Sequence, residues 1–447
     1  MKDLTKGNIT RLIIAFAIPV MLGNILQLTY NLVDTKIVSQ VLGERSLAAV
    51  GSTNSIYTLV IGFLQGLTNG FAVIASQYFG AGDIKTLKKT VALALKYGAA
   101  VSILLTALVL VFLRPLLVVL NTPKECIDEA YAYIWIVFAG MTVLMLYNVS
   151  CALLRAIGDT VTPLIFLGIS VTLNIAGDYL FMAVIPWGVK GAAVSTVLAQ
   201  LLAMIACFVY MFAKYPILRV SRNDFRNDAA LAGKMMATGC SMGFMSSLVS
   251  IGTVVLQGAI NSFGQEIIVA HSTARRITEL FMMMFGVLGT TMATFCGQNL
   301  GAGYVARIKK GIRISILLGW IWCGLMVVLS YTIVPAFVKM LISSDNEYII
   351  NTASLYLRID SLLYFVTAMI TIIRNAMQGI GDRITPLISS SIELVGKVLV
   401  VIILVPRLGY MGVILAEPIV WVLMVIPLIV QIIRNPLLKE TSKSLSN

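Results

Sequence analysis

The stretch Ile157–Pro163, "IGDTVTP", returns as Ile380–Pro386, "IGDRITP", 223 positions further along. A polar turn written twice in an otherwise apolar chain marks an internal duplication. Three more correspondences hold the spacing at 221: "QYFGAGD" (77–83) with "QNLGAGY" (298–304), "LGERSLAAVGSTNSI" (42–56) with "FGQEIIVAHSTARRI" (263–277), and "GVKGAA" (188–193) with "GYMGVI" (409–414). Within the turn, Gly supplies a flexible helix C-cap, Asp can cap the next helix, and Pro falls near its first turn. The repeat therefore bears on architecture rather than chemistry.

What surrounds the turns decides the fold class. The 447 residues are 59% hydrophobic and 12% charged, with a mean hydropathy of +0.93. That much apolar surface belongs to a polytopic membrane protein. A span needs about 20 apolar residues. Such stretches occupy 11–34, 48–76, 90–113, 130–154, 161–185, 190–213, 235–262, 270–298, 312–335, 352–375, 384–405 and 410–433. The expected fold is all-α, with twelve transmembrane helices in two pseudo-symmetric six-helix lobes. We expect an N-terminal lobe at 1–213, a cytoplasmic linker at 214–234, a C-terminal lobe at 235–433 and a cytoplasmic tail at 434–447. Six spans per copy is an even number, so the copies face the same way, as in parallel-repeat transporters.

Charge gives the orientation. The net charge is +13, and one alternating set of loops holds 21 Lys and Arg while the opposite set holds about nine. This asymmetry places both termini in the cytoplasm of a multi-pass protein of the cell membrane. A nucleic-acid surface is excluded, since no basic stretch is interleaved with aromatics. The six cysteines are scattered, with no CxxC pair, which argues against a disulfide framework or a thiolate metal centre.

Carboxylates inside spans mark ion or proton paths. Asp34 lies near the outer end of the first span, with Tyr30 one turn earlier. Asn174 and Asp178 share a face of the fifth span, at i and i+4. Asp34 precedes Gly43 by nine residues, Asp178 precedes Pro186 by eight, and Thr196 follows Lys190 by six. Each therefore sits roughly 9–14 Å inside its outer end. Two carboxylates in a dry site cannot both remain ionised without a large penalty. One is expected to hold a proton near neutral pH, unless a cation such as sodium at Asp34, Asn174 and Asp178 neutralises the pair. The alternative is a structural hydrogen-bond network joining three helices. Pro19, mid-span, removes a backbone hydrogen bond and is read as a hinge or a static kink.

The second half does not copy these residues. At the repeat offsets Asp34 becomes Val255, Asn174 becomes Lys397, Asp178 becomes Val401 and Thr196 becomes Glu417. Glu393 lies one turn before Lys397, which predicts a buried Glu393–Lys397–Glu417 network, with Asp360 a further acid in the tenth span. His271, the single histidine, is expected to be a polar residue near the outer interface.

The stretches "LVDTKIVSQVLGERSLAAVG" (32–51), "QYFGAGD", "RAIGDTVTP" (155–163), "TLNIAGDYLF" (172–181) and "QNLGAGY" resemble the multidrug and toxic compound extrusion (MATE) family. The pattern is closest to the branch related to the DNA-damage-inducible protein. The resemblance spans the chain and implies an antiporter that exports organic, often cationic, compounds and confers antibiotic resistance. It also implies a central cavity and a proton or cation site at Asp34, Asn174 and Asp178, with Tyr30 and Thr196 at matching places. Some relatives bind sodium through a Glu on the seventh span and an Asp on the tenth. This chain has Gln257 and Asn261 on the seventh, although Asp360 is present. The expected coupling ion is H+ or Na+, with no cofactor, and the expected state is a monomer. A lipid-linked glycan flippase is the alternative, but extra spans and a strongly basic cavity are missing. An enzyme is not expected, since no paired Asp-rich motif, HExxH or Ser/His arrangement occurs.

Overall fold

A computed structural model describes residues 3–120, 122–226, 228–342 and 346–439. The part of the expected tail beyond Lys439 lies outside the described residues. The first half runs α1 (Ile9–Leu42), α2 (Glu44–Ser52), α3 (Asn54–Gly80), α4 (Ile84–Val119), α5 (Ile127–Ala139), α6 (Met141–Ala156), α7 (Val161–Asp178) and α8 (Val189–Lys214). The second runs α9 (Ala229–Ile260), α10 (Gln265–Gly301), α11 (Val305–Thr332), α12 (Val334–Ile342), α13 (Glu347–Leu362), α14 (Tyr364–Gly379), α15 (Ile384–Ile403), α16 (Val405–Leu408), α17 (Tyr410–Arg434) and α18 (Pro436–Lys439). No strand occurs among the described residues.

Among the described residues ten helices are long and apolar enough to cross a membrane, and two bent pairs, α5 with α6 and α13 with α14, bring the number to twelve if each is one span. Every apolar stretch of the sequence falls on one of these. The pairs bend by 47° and 54°, and their breaks, Gly140 and Leu363, are themselves 223 residues apart. The duplication thus extends to the kinks. Outward faces are apolar: Val111 is 72% exposed and Val209 66%, as lipid-facing residues must be.

Packing divides the chain into two compact units. One comprises Ile18–Gly243 with Asp3, the other Leu4–Ala17 with Phe244 onward. Consequently α1 begins in the second unit and continues in the first, and α9 does the reverse. Pro19 sits inside α1 just past that division. In the second unit Leu4 is fully buried. Its N–H donates to Gln298 Oε1 at 2.9 Å, and its carbonyl accepts from Asn299 and Arg307, each at 3.3 Å. The first turns of α9, which end the expected linker, belong to the first unit, where Lys234 donates to Gln77 at 3.0 Å. There α3 and α9 nearly touch along their backbones. A Cβ on Gly70 would lie 2.4 Å from Gly239 Cα, and one on Gly66 2.5 Å from the Met242 carbonyl. Small residues at such crossings let membrane helices approach closely.

The repeated turn now has a structural account. Gly158 and Gly381 both adopt the left-handed backbone, at φ 82° and 92°, a conformation that favours glycine. Asp159 Oδ1 accepts from the Thr162 N–H at 3.0 Å, and Oδ2 accepts from Thr162 Oγ1 at 2.6 Å. Asp382 treats Thr385 in the same way, at 3.1 and 2.7 Å. Each aspartate also ties in the last span of its own half: Tyr215 OH donates to Asp159, and Gln431 Nε2 donates to Asp382 at 2.9 Å. Burial pushes the Asp159 carboxyl up, but the bonds from Thr162 and Tyr215 outweigh it and hold it below the usual carboxylate range. A depressed carboxylate stabilises the fold at any pH above its unfolded value, and that stability is lost as pH falls through its folded value. Asp159→Ala is therefore expected to lower stability by about 1–2 kcal/mol at neutral pH. The difference from the parent should shrink once the pH drops below the ordinary carboxylate range. Thermal unfolding in detergent across a pH series measures both.

Candidate functional site

Within the first unit, α1, α7 and α8 bring five predicted residues together. The carboxyls of Asp34 and Asp178 lie close enough to influence one another. Asp178 is fully buried and Asn174 nearly so. With its amide oriented to suit its neighbours, Asn174 Nδ2 donates to Tyr30 OH at 2.7 Å and to Asp178 Oδ2 at 3.2 Å, while Oδ1 accepts from the Thr196 N–H at 3.0 Å. Such an orientation is assigned from the network around it. Thr196 Oγ1 also donates to the Ala192 carbonyl at 3.0 Å.

Local sequence explains why these groups meet. Gly177 lets α8 come close, since a Cβ there would lie 2.5 Å from Ser195 Oγ. Ser195 Oγ then donates to the Asn174 carbonyl at 2.8 Å. Directly after Asp178 the chain widens into a π-helical segment, Tyr179–Val184, a feature frequent at functional sites. One turn beyond the acids, Val38, Met182 and Ala192 form a small buried cluster that limits water on that side. The hydroxyl-bearing Tyr57 and Tyr133 lie within electrostatic range of Asp34. The lining offers carboxyl, amide and hydroxyl oxygens, a set that suits a proton or a hard monovalent cation.

The second unit carries a different interior. Lys397 Nζ lies 3.1 Å from Glu393 Oε1 and 3.4 Å from Glu417 Oε1. The contact with Glu417 joins α15 to α17, as Asn174 and Thr196 join α7 to α8 in the first unit. Arg275 Nη1 donates to both oxygens of Glu417, at 3.0 and 2.9 Å, and Tyr356 OH donates to Glu417 Oε2 at 3.4 Å. Asp360, fully buried, is not bonded to the other acids; neither oxygen meets a partner in good hydrogen-bond geometry, with Tyr356 beside it. Buried His271 contacts Tyr410 OH at 3.1 Å. On α9, Gln257 donates to Asn261 at 2.8 Å. Among the described residues no group of three His, Cys, Asp or Glu has the spacing to hold a metal ion.

Sequence reasoning missed Ser195, Tyr57, Tyr133, Arg374 and the tie from Arg275 to Glu417. Only Arg374 and Arg275 announced themselves, as charges inside apolar runs; the others are ordinary span residues until three helices converge on them.

Comparison with known proteins agrees with this architecture. The MatE family model matches residues 19–180 and 241–403, once in each half. A "Probable multidrug resistance protein YpnP" of Bacillus subtilis (strain 168) is 31% identical over 314 residues, 68% of either chain. An "FAD transporter" of Shewanella oneidensis is 23% identical over 434 residues, covering 95% of both. A solved outward-facing multidrug resistance MATE transporter of the MOP superfamily superposes with a TM-score of 0.89 at 22% identity, covering 98% of each chain. The chain belongs to the MatE family.

Proposed function

We propose that the protein is a multidrug exporter of the cell membrane that moves small organic compounds outward in exchange for protons or sodium. The observation that carries the coupling is the closeness of the Asp34 and Asp178 carboxyls beside Asn174, where α1 meets α7. Two carboxyls that close share one proton more readily than they carry two charges. Loss of that proton turns the contact into repulsion between like charges, which a sodium ion or a fresh proton relieves. A coupled ion acts through its different affinity for two conformations, and Pro19, which removes a backbone hydrogen bond inside α1, is where we place the change. The relatives named as multidrug resistance proteins support the export reading. The Shewanella relative is named for FAD, so the family's cargo is not confined to organic cations. In this reading both termini are cytoplasmic, lobes 1–213 and 235–433 are joined through 214–234, the protein works as a monomer, and no cofactor is needed. The pairing of Asp34 with Asn174 and Asp178 also favours the branch related to the DNA-damage-inducible protein.

The test is ethidium transport by purified protein in vesicles, with proton and sodium gradients imposed separately. Transport driven by one gradient and not by the other names the ion. Equal transport with no gradient at all would refute coupling.

A further inference from the structure

The interior of the second unit holds three cations, Arg275, Arg374 and Lys397, and three acids, Glu393, Glu417 and Asp360. Two cations are well matched: Arg275 has Glu417, and Lys397 lies between Glu393 and Glu417. Arg374 on α14 is not. Its side chain is only 10% exposed, and its Nη2 stands 3.8 Å from Glu393 Oε2, beyond hydrogen-bond reach. Glu393 is already held through its other oxygen by Lys397, at 3.1 Å. Arg374 Nε and Nη2 have no hydrogen-bond partner among the described residues, and neither has Gln378 Oε1 one turn later. Gln378 is 1% exposed, and its Nε2 is spent on Met245 Sδ at 3.3 Å.

A buried guanidinium with open donors carries a desolvation penalty that a long ion pair does not repay. Native proteins rarely leave such groups unsatisfied without a reason, a bound ligand or ion among them. The fork of Arg suits carboxylate and phosphate oxygens, which accept two parallel bonds. Gln378 lies on the same face, four residues on, and its open acceptor suits a hydroxyl or acid proton on the same ligand.

We propose that Arg374 and Gln378 form a subsite for the carboxylate or phosphate of an organic anion, so that the cargo of this exporter includes organic anions. This rests on the export reading above. The experiment places purified protein in phosphatidylcholine vesicles and follows carboxyfluorescein, an anionic dye, beside ethidium. The parent should move both dyes. Arg374→Gln should lower the ratio of carboxyfluorescein to ethidium transport at least tenfold, and Arg374→Lys, which keeps the charge but not the fork, should restore part of it. Gln378→Met leaves every charge in place and should lower the ratio several-fold with unchanged thermal unfolding, so a folding defect in the arginine variants does not remove the test. Parent protein that moves ethidium but not carboxyfluorescein overturns the subsite and leaves the export reading standing. An unchanged ratio in folded Arg374→Gln or Gln378→Met overturns it equally. If neither dye moves, the export reading falls and takes the subsite with it.

Discussion

Asp34→Asn is expected to abolish gradient-driven export, by about 100-fold or more in initial rate, and to leave the protein folded. The amide matches the carboxyl in shape and can still bond to Asp178, so packing among α1, α7 and α8 is retained and the unfolding temperature should hardly move. What disappears is a second exchangeable proton site and the negative charge that a cation would neutralise. With no differential ion affinity, the gradient has nothing to act on. Carrying a two-state equilibrium from one extreme to the other takes about 5.5 kcal/mol of differential binding, far more than the remaining neutral hydrogen bonds would supply. Ethidium export in vesicles reads the rate, and detergent unfolding reads the fold. A folded Asp34→Asn protein that exports at half the parent rate would remove Asp34 from the mechanism.

The second large effect concerns stability. Lys397→Met is expected to destabilise the second unit by about 3–5 kcal/mol. Its ammonium separates Glu393 from Glu417. Glu417 would keep Arg275, but Glu393 would lose the partner that bonds it at 3.1 Å and keep only Arg374, at 3.8 Å. The double variant Lys397→Met/Glu393→Gln should recover part of the loss, because the amide removes the charge that Lys397 had bonded while still facing Arg374. Denaturation of all three proteins in one detergent settles the point. A single variant within 1 kcal/mol of the parent would mean that water, not protein, solvates these carboxylates.

The fold was legible because its signals are long and redundant. Twelve apolar runs follow from bilayer thickness alone, and a duplication repeats four motifs at offsets of 221 to 223. The first-unit residues could be named because carboxylates and an Asn in apolar runs stand out, and because counting from helix ends fixes their depth. The Lys397–Glu417 contact was readable by a subtler route, through the places that Asn174 and Thr196 hold in the other copy. What stayed hidden depends on a third element. Arg275 reaches Glu417 from α10, Tyr57 and Tyr133 approach Asp34 from α3 and α5, and no spacing within one helix encodes such convergence. The division of α1 and α9 between the two units was equally invisible, since an unbroken apolar helix reads the same whichever neighbours it has.

One consequence follows from the paired aspartates at the duplicated turns. Asp159 and Asp382 each clasp the final span of their own half, through Tyr215 in one case and Gln431 in the other. The clasp is common to both halves, while the chemistry at mid-depth is not: an acid pair in one, an alternating lattice of cations and acids in the other. A fastening that makes no demand on the interior leaves each duplicate free to acquire its own contents, so twin scaffolds can hold unlike business without either coming undone.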